Sequence, residues 1–220
     1  MKVPDTVLKA VIFDLDGTLY NSNAIKIDMA FRNISQLYML ISLLDVRNKC
    51  RGIDFYTKNR FHVNLFNEMQ KRTGKNASGI EQWYFEVFYP GFVTLLKKKY
   101  RARKEMESAL TSLKHNGIHT AVLSDYLFVR ERLEAIRLES ALFDIIASSE
   151  DYGVLKPSRR PLLDIALQLG VKEEQVLVIG DRDDTDGKGA EMAKMQYLNI
   201  NKSKRQGLSC MHLLSYSVSQ

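Results

Sequence analysis

The sequence predicts an α/β fold in which a doubly wound, parallel sheet of five strands is interrupted after its first strand by an all-helical segment. Five short segments are strongly apolar and have the length and composition of strands that are buried on both faces of a sheet. The last four of these segments alternate with helical patterns between residues 104 and 200, which is typical of parallel sheets. Residues 20–100, in contrast, contain only helical patterns.

The first strand, predicted over residues 7–14, ends on Asp14, and Asp16 and Gly17 lie in the turn beyond it. Two carboxylates about 4 Å apart repel each other by ~1 kcal/mol in water and by ~4 kcal/mol at the effective dielectric constant of a protein. An Asp-Gly turn is common and needs no function. Two acids at the end of a buried strand nevertheless favour a bound cation, a shared proton or both.

Residues 24–44 are predicted to form one amphipathic helix. Its apolar face would consist of residues spaced by three and four positions: Ile27, Phe31, Ile34, Tyr38 and Ile41. A break is expected near residues 49–52.

The next two helices of the insertion are predicted over residues 55–72 and 80–100. The first carries an apolar face at Phe61, Leu65 and Met69, and the second is bent or broken at the Pro90-Gly91 pair. The aromatic residues between positions 83 and 89 cover all sides of that helix. Most of them are therefore expected in the core, and one or two in a pocket.

The remaining segments alternate between helix and strand. Helices are predicted over residues 104–116, 127–138, 160–169 and 189–195, and strands over residues 118–123, 143–148, 175–179 and 196–200. In the polar tail from Asn201, a short helix is expected near residues 208–214.

Composition describes an ordinary soluble globular protein, with 45% apolar and 26% charged residues among 220. The net charge of +6 suits an anionic small substrate as well as a nucleic acid. The basic run at residues 97–104 is interpreted as a solvated helix end, so no nucleic-acid partner is expected. Neither a signal peptide nor a membrane span is recognisable. Two distant cysteines, Cys50 and Cys210, and four histidines show no metal spacing, and the chain is expected in the cytoplasm.

Polar residues follow each of the predicted core strands. Ser124 and Asp125 follow the second strand, Lys156 lies in the loop beyond the third, and Asp181 follows the fourth. Because ligands of open parallel sheets bind at the carboxyl ends of the strands, these residues are expected to meet Asp14 at one edge.

The loop after the fourth strand carries four carboxylates in six positions, at Asp181, Asp183, Asp184 and Asp186. Such a loop is usually a solvated turn, but its place behind a buried strand favours a hard cation with oxygen ligands, Mg²⁺ before Ca²⁺. A calcium-binding helix–loop–helix pattern fails because its first and last ligand positions are not acidic.

Together these motifs resemble the four motifs of the haloacid dehalogenase-like hydrolases. They are Asp14 to Thr18, Ser124, Lys156-Pro157, and Gly180-Asp181 with Asp186. They occur in that family's order, and the resemblance covers the whole predicted sheet. It implies a Rossmann-like core domain formed by residues 1–19 and 101–220, and a helical cap domain of the family's first type at residues 20–100.

The resemblance also implies roles for five residues. Asp14 would attack phosphorus and form an aspartyl-phosphate, and Asp16 would protonate the leaving oxygen and then deprotonate water. Ser124 would bind the phosphoryl oxygens, with the backbone N–H of Asp125 facing the pocket. Lys156 would add positive charge beside Asp14.

A magnesium ion is the cofactor that the resemblance implies. Its ligands would be Asp14, the main-chain carbonyl of Asp16, Asp181 and Asp186. The positions Asp183 and Asp184 stay open as alternatives for the last acid, with Asp186 preferred because glycines follow it.

The predicted function is hydrolysis of a small phosphate ester, because the family's dehalogenases lack the second aspartate that stands here at Asp16. A phosphomutase of the same family and a non-catalytic binding protein on the same fold are the alternatives. The sequence identifies neither the ester nor the oligomeric state.

Overall fold

The computed structural model describes residues 7–32 and 34–205. The predictions for Cys210, His212 and a helix near residues 208–214 lie outside these residues.

Five parallel strands form one sheet in the order β3-β2-β1-β4-β5, as the sequence predicts. The strands are β1 (Ala10–Phe13), β2 (His119–Ser124), β3 (Ile145–Ser148), β4 (Val176–Gly180) and β5 (Gln196–Asn199). The first strand is central, and its Ala10 is in register with His119 of β2 and Val176 of β4. This register places the carboxyl ends of β1, β2 and β4 side by side.

Ten α-helices surround the sheet within the described residues. The helices that precede β2 are α1 (Ile25–Arg32), α2 (Leu37–Lys49), α3 (Lys58–Thr73), α4 (Ala77–Gln82), α5 (Tyr89–Lys99) and α6 (Met106–His115). The later ones are α7 (Val129–Ala135), α8 (Arg160–Gln168), α9 (Lys188–Met192) and α10 (Ile200–Arg205). Helices α1–α5 lie between β1 and α6 in the chain. Residues 20–100, which contain these five helices, are called the helical insertion below.

The two faces of the sheet belong to two separate hydrophobic clusters. Val11 and Phe13 of β1 pack into one cluster, together with α6, α7 and the helical insertion. Ala10 and Ile12 point the opposite way into a second cluster with α8 and α9. Since alternate residues of one strand are buried on both sides, the doubly wound arrangement predicted from the apolar strands is confirmed.

Helix α3 carries its apolar face where the sequence predicts it. Phe61, Leu65 and Met69 are all fully buried. Thr57 begins the helix by accepting a hydrogen bond from the N–H of Arg60 at 3.3 Å, as a typical N-terminal capping residue does.

The apolar face predicted for residues 24–44 is wrong. Its five members are exposed, up to 73% at Phe31, and the buried residues are instead Met29 in α1 and Met39, Leu43 and Val46 in α2. The chain does not form one helix here, because α1 ends at Arg32 and α2 starts at Leu37 after a 3₁₀ turn. The periodicity that links the two halves therefore has no continuous helix to act on.

Of the bend or break predicted at Pro90-Gly91, the break is wrong, because helical structure continues from Ala77 to Lys99. A π-helical segment, Trp83–Phe88, joins α4 to α5, and the N–H of Tyr89 donates to the carbonyl of Tyr84. Proline has no N–H and crowds the preceding turn, and a wider turn relieves this crowding. Pro90 lies just after the π-helical segment, in the first turn of α5.

Candidate active site

The site is built on the turn that follows β1. The N–H of Asp14 donates to the carbonyl of Ile179 in β4 at 2.8 Å, which continues the sheet and fixes the Asp14 side chain at the carboxyl edge. Gly17 has φ of +93°, and a Cβ there would lie 2.2 Å from Oδ2 of Asp181. Only glycine allows this backbone conformation and this close approach.

Three carboxylates converge at the end of β1 and β4. Asp14, Asp181 and Asp186 each offer an oxygen, and these oxygens lie within 4.8 Å of one another. A Cβ at Gly180 would lie 2.5 Å from the Asp186 side chain, so the glycine makes room for it. The side chain of Asp16 is not a member of this group.

The acidic loop divides into one inward and two outward carboxylates. Asp186 is buried at 4% exposure, on a π-helical turn, Asp183–Gly187. Asp184 is exposed and pairs with Arg182, and Asp183 pairs with Lys202. The structure therefore brings Asp186, and neither Asp183 nor Asp184, to the three-carboxylate group.

Lys156 lies between two of these acids. Its Nζ donates to Oδ1 of Asp14 at 2.7 Å and to Oδ1 of Asp186 at 2.8 Å. Burial alone would lower the pKa of Lys156, but the two carboxylates hold it above its usual value. The lysine therefore stays charged throughout the neutral range.

The carboxylates hold more negative charge than Lys156 compensates. Burial raises the pKa of Asp14 well above its usual value, and Asp186 adds to this while Lys156 opposes it. Burial and Asp186 raise the pKa of Asp181 to about 6. A group of oxygen donors with excess negative charge and no thiol or imidazole is the donor set that Mg²⁺ prefers. The residues present thus fit the metal that the resemblance implies.

A buried arginine binds the side chain of Asp16. Nη2 of Arg132 donates to both carboxylate oxygens of Asp16. Tyr20 and Ser124 each donate a further hydrogen bond to Asp16. Burial raises the pKa of Asp16, but the Arg132 guanidinium more than offsets this, so the pKa is below its usual value. Asp16 is therefore ionised in this arrangement.

The loop after β2 supplies Ser124 and Asp125. The Ser124 hydroxyl is buried and accepts a hydrogen bond from Nη1 of Arg132 at 3.0 Å while it donates to Asp16. Oδ1 of Asp125 accepts from the N–H of Lys156 at 2.9 Å. The Asp125 side chain thus connects two of the predicted motifs by holding the loop that carries the lysine.

A cavity of about 780 Å³ opens above these residues. Its floor includes Asp14, Lys156 and Asp181, and its other walls come from α1, α2 and α5 of the helical insertion. Of the aromatic residues at positions 83–89, Phe88 lines this cavity. Phe88 is also buried in the core, as are Trp83, Tyr84 and Tyr89. A volume of this size is ordinary for a small-molecule site.

Five polar residues of the site had no role predicted from the sequence. They are Thr18, which donates to Oδ2 of Asp14 at 3.0 Å, Tyr20, Arg47, Arg132 and Glu150. Arg47 and Arg132 lie on helices that read as ordinary amphipathic segments. A charged residue on the apolar side of a helix, as at Arg132, is the only sequence signal that could have indicated burial.

Comparison with known proteins identifies the family of this chain. The family model of the haloacid dehalogenase-like hydrolases matches residues 8–194. The chain belongs to this family. The family predicted from the four motifs is therefore confirmed, and with it the assignment as a hydrolase.

Two relatives and one solved structure show what this hydrolase is similar to. A glyceraldehyde 3-phosphate phosphatase of Methanocaldococcus jannaschii is 26% identical over 225 aligned positions, covering 96% of this chain and 93% of the relative. A phosphoglycolate phosphatase of Aquifex aeolicus is 27% identical, covering 80% of this chain and 77% of the relative. The crystal structure of a 2-haloacid dehalogenase from Pseudomonas syringae superposes with a TM-score of 0.62 at 20% identity, covering 96% and 98%. The last of these supports the fold alone.

Proposed function

We propose that this hydrolase is a Mg²⁺-dependent phosphatase that acts on a small phosphate ester through an aspartyl-phosphate. The observation that carries the proposal is the group of Asp14, Asp181 and Asp186 around the Lys156 ammonium at the floor of an open cavity. The similarity to phosphatases from two organisms supports the same reaction.

In the first step a carboxylate oxygen of Asp14 bonds to phosphorus as the bond from phosphorus to the ester oxygen breaks. Lys156 holds Oδ1 of Asp14 and Thr18 holds Oδ2, so the nucleophile is oriented before substrate arrives. Ser124 and the backbone N–H of Asp125 bind phosphoryl oxygens. Asp16, which is ionised in the arrangement described above, must first take up a proton, and it then gives this proton to the departing alkoxide.

In the second step water attacks phosphorus and loses its proton to Asp16. The bond between phosphorus and the Asp14 oxygen breaks, which restores both aspartates and releases inorganic phosphate. Because Arg132, Tyr20 and Ser124 occupy both oxygens of Asp16, proton transfer requires Asp16 to leave Arg132 during the cycle.

Asp14, Asp181, Asp186 and the main-chain carbonyl of Asp16 would hold the magnesium ion. When bound, the ion supplies positive charge that offsets the repulsion among the carboxylates and the charge of the phosphoryl group. The raised pKa values of Asp14 and Asp181 indicate that this charge is needed.

The helical insertion is proposed to act as a cap domain, with its boundaries near residues 20 and 100. Tyr20 and Ala102 form an isolated antiparallel bridge, and the N–H of Arg103 donates to the carbonyl of Leu19 at 2.9 Å. The two linkers therefore lie side by side, as expected where an inserted domain leaves and re-enters a core.

A small metabolite is proposed as the partner, without a nucleic acid. In the basic run at residues 97–104, Lys99 pairs with Asp28, and Arg103 donates to the carbonyls of Gly17 and Thr18. Two of these basic residues therefore bind groups of the protein itself. Among the described residues no helix has the length and hydropathy needed to span a bilayer. The buried free Cys50 supports a reducing cytoplasm as the location.

A panel of phosphate esters tests the proposal. The purified protein should release phosphate from at least one ester with Mg²⁺, and a chelator should abolish the activity. Asp14→Asn should lower the rate by several orders of magnitude in a folded protein. The panel should include glyceraldehyde 3-phosphate and phosphoglycolate, the substrates in the names of the two relatives, to test which of them this protein hydrolyses. Activity of the folded Asp14→Asn variant would exclude the mechanism.

A further inference from the structure

One buried carboxylate receives a side chain from four different segments of the helical insertion. Glu150 lies in the 3₁₀ turn after β3, Ser149–Tyr152, and its side chain has no exposure. Arg47 of α2 binds it at 2.5 Å and His62 of α3 at 2.8 Å. The hydroxyls of Tyr84 and Tyr89 each donate to it at 2.8 Å. No step of the proposed reaction uses any of these residues.

The arrangement has the features of a permanently charged, fully paired network. The side chains of Glu150 and Arg47 are 0% and 5% exposed. Burial alone would raise the pKa of Glu150, but Arg47 and then His62 lower it to about 2. Since an ionised carboxylate can only accept, Nε2 of His62 and both tyrosine hydroxyls are the donors. Buried charges are tolerated when every partner is satisfied in this way.

The same network continues into the loop after β2. Nη2 of Arg47 donates to the carbonyl of Asp125 at 2.6 Å, and its guanidinium lies 4.0 Å from the centre of the Tyr126 ring. The Tyr89 hydroxyl accepts from the N–H of Leu127 at 2.9 Å. Residues of the helical insertion thus hold all three loop positions that follow Ser124.

From this loop the connection runs to the reacting carboxylate. Oδ1 of Asp125 accepts from the N–H of Lys156 at 2.9 Å, and Nζ of Lys156 donates to Asp14 at 2.7 Å. A continuous set of contacts therefore links Glu150 to Asp14 through Arg47, Asp125 and Lys156. All four contacts of this set are buried or partly buried.

We propose that Glu150 and Arg47 are positioning residues that hold the loop at residues 125–127, and with it Lys156, in the geometry that binds a phosphoryl group. This inference rests on the proposed phosphatase function. The two residues act on the binding of phosphate itself and not on the alcohol part of the ester. Their loss should therefore weaken the binding of every phosphate ligand by the same factor.

The chain offers a matched control at the neighbouring position. Asp151 also binds a residue of the helical insertion, Lys58, at 2.8 Å, but the two side chains are 49% and 45% exposed. An exposed ion pair contributes little to stability, and neither residue contacts the loop at residues 125–127. Asp151→Asn therefore removes an acid from the same 3₁₀ turn without removing a contact to the site.

The experiment compares Glu150→Gln, Arg47→Met, the double variant and Asp151→Asn in the presence of Mg²⁺. KM and kcat are measured for two esters with different alcohols, together with the inhibition constant of inorganic phosphate. Glu150→Gln should raise both KM values and the inhibition constant by one common factor of about tenfold or more, since small displacements of binding groups are costly. The double variant should resemble a single variant, because the two residues act as a unit. Asp151→Asn should match the wild type.

Two results would overturn the inference. Unchanged phosphate inhibition in a folded Glu150→Gln variant that only melts earlier would make the network purely structural. Arg47 also lines the cavity, and a change confined to one ester would mean that it contacts the alcohol part of that ester instead of acting through the loop at residues 125–127. If Glu150→Gln does not fold, Tyr89→Phe removes one hydroxyl from Glu150 and from Leu127, and it should raise the same three constants by a smaller common factor. Unaltered constants in this variant would equally contradict the inference.

Failure of the proposed function would be separately visible. If the wild type hydrolyses no ester, calorimetric titration with inorganic phosphate still compares the wild type with the four variants. Weaker phosphate binding in Glu150→Gln and Arg47→Met then supports the inference although the reaction is excluded. Equal binding in all proteins, or none in the wild type, contradicts it.

Discussion

Replacing Arg132 with methionine should impair both the stability and the pH profile of this hydrolase. The Arg132 side chain is fully buried and contacts both oxygens of Asp16, the hydroxyl of Ser124 and, at 4.6 Å, the ring of Phe92. Methionine fills a similar volume but supplies neither charge nor hydrogen bonds. Asp16 would then be left half-buried beside other acids without a cation.

The expected loss of stability follows from the burial of the pair. Removing one partner of a buried ion pair costs about 3–5 kcal/mol. The Asp16 side chain keeps 22% exposure, so water can partly hydrate it and the lower end, about 3 kcal/mol, is expected. Urea unfolding measures this through the fluorescence of Trp83, the single tryptophan, and through circular dichroism, and agreement of the two signals tests two-state behaviour.

The pH profile tests the same contact in the folded protein. Arg132 keeps the pKa of Asp16 below its usual value against the effect of burial, so the variant should have a higher pKa there. With an aryl phosphate, whose leaving group needs no proton, the acidic limb of kcat should therefore move to higher pH.

Arg130→Met is the matched control, because Arg130 is exposed on the same helix and contacts Ser140 instead of the site. It should unfold at the wild-type urea concentration and keep the wild-type profile. Identical unfolding midpoints and identical acidic limbs for Arg130→Met and Arg132→Met would refute the reasoning.

Three further predictions concern the carboxylates. Asp14→Asn should abolish turnover but keep or raise the melting temperature, because burial raises the pKa of Asp14 and its charge is unfavourable in the folded state; a clearly lower melting temperature would contradict this. In chelator-treated protein, the pKa of Asp181 at about 6 lies above its unfolded value, so the folded state binds the extra proton and the melting temperature should rise as pH falls from 7.5 to 5.5. Asp181→Asn should reduce this rise, and an equal rise would count against it. Glu150, with a folded pKa of about 2 against an ordinary value of 4.5, should contribute about 3 kcal/mol at neutral pH, lost as pH falls from 4.5 to 2. The urea midpoints of wild type and Glu150→Gln should therefore converge in acid, and a constant difference would disprove the assignment.

The local pattern of apolar and polar residues was sufficient to predict the sheet and the positions of part of the site. Apolar strands separated by helical patterns predict a parallel sheet, and a parallel sheet brings its carboxyl ends to one edge. The positions of Asp14, Ser124, Lys156 and Asp181 follow from that rule, because each directly follows a strand or lies in the adjoining loop.

The glycines that follow Asp186 made it the preferred acid of the loop in the sequence, and the backbone geometry decided between the acids. Asp183, Asp184 and Asp186 are equally acidic in sequence, and only the π-helical turn directs Asp186 inward while the other two meet Lys202 and Arg182. The helical insertion shows the same limit. Spacing alone cannot reveal that a 3₁₀ turn interrupts residues 24–44, so the side of α1 and α2 that becomes buried was predicted wrongly.

The sequence by itself determined the fold class, the family and the edge of the sheet where the acidic residues collect, because these depend on strand order and on residues next to strand ends. The partners of those residues were decided only by the tertiary structure. Arg132 lies 116 positions from Asp16, and Glu150 lies 103 positions from Arg47. Pairs so distant in sequence leave no periodic signal. They form because packing removes water from both charges, so that each charge can be compensated only by the other.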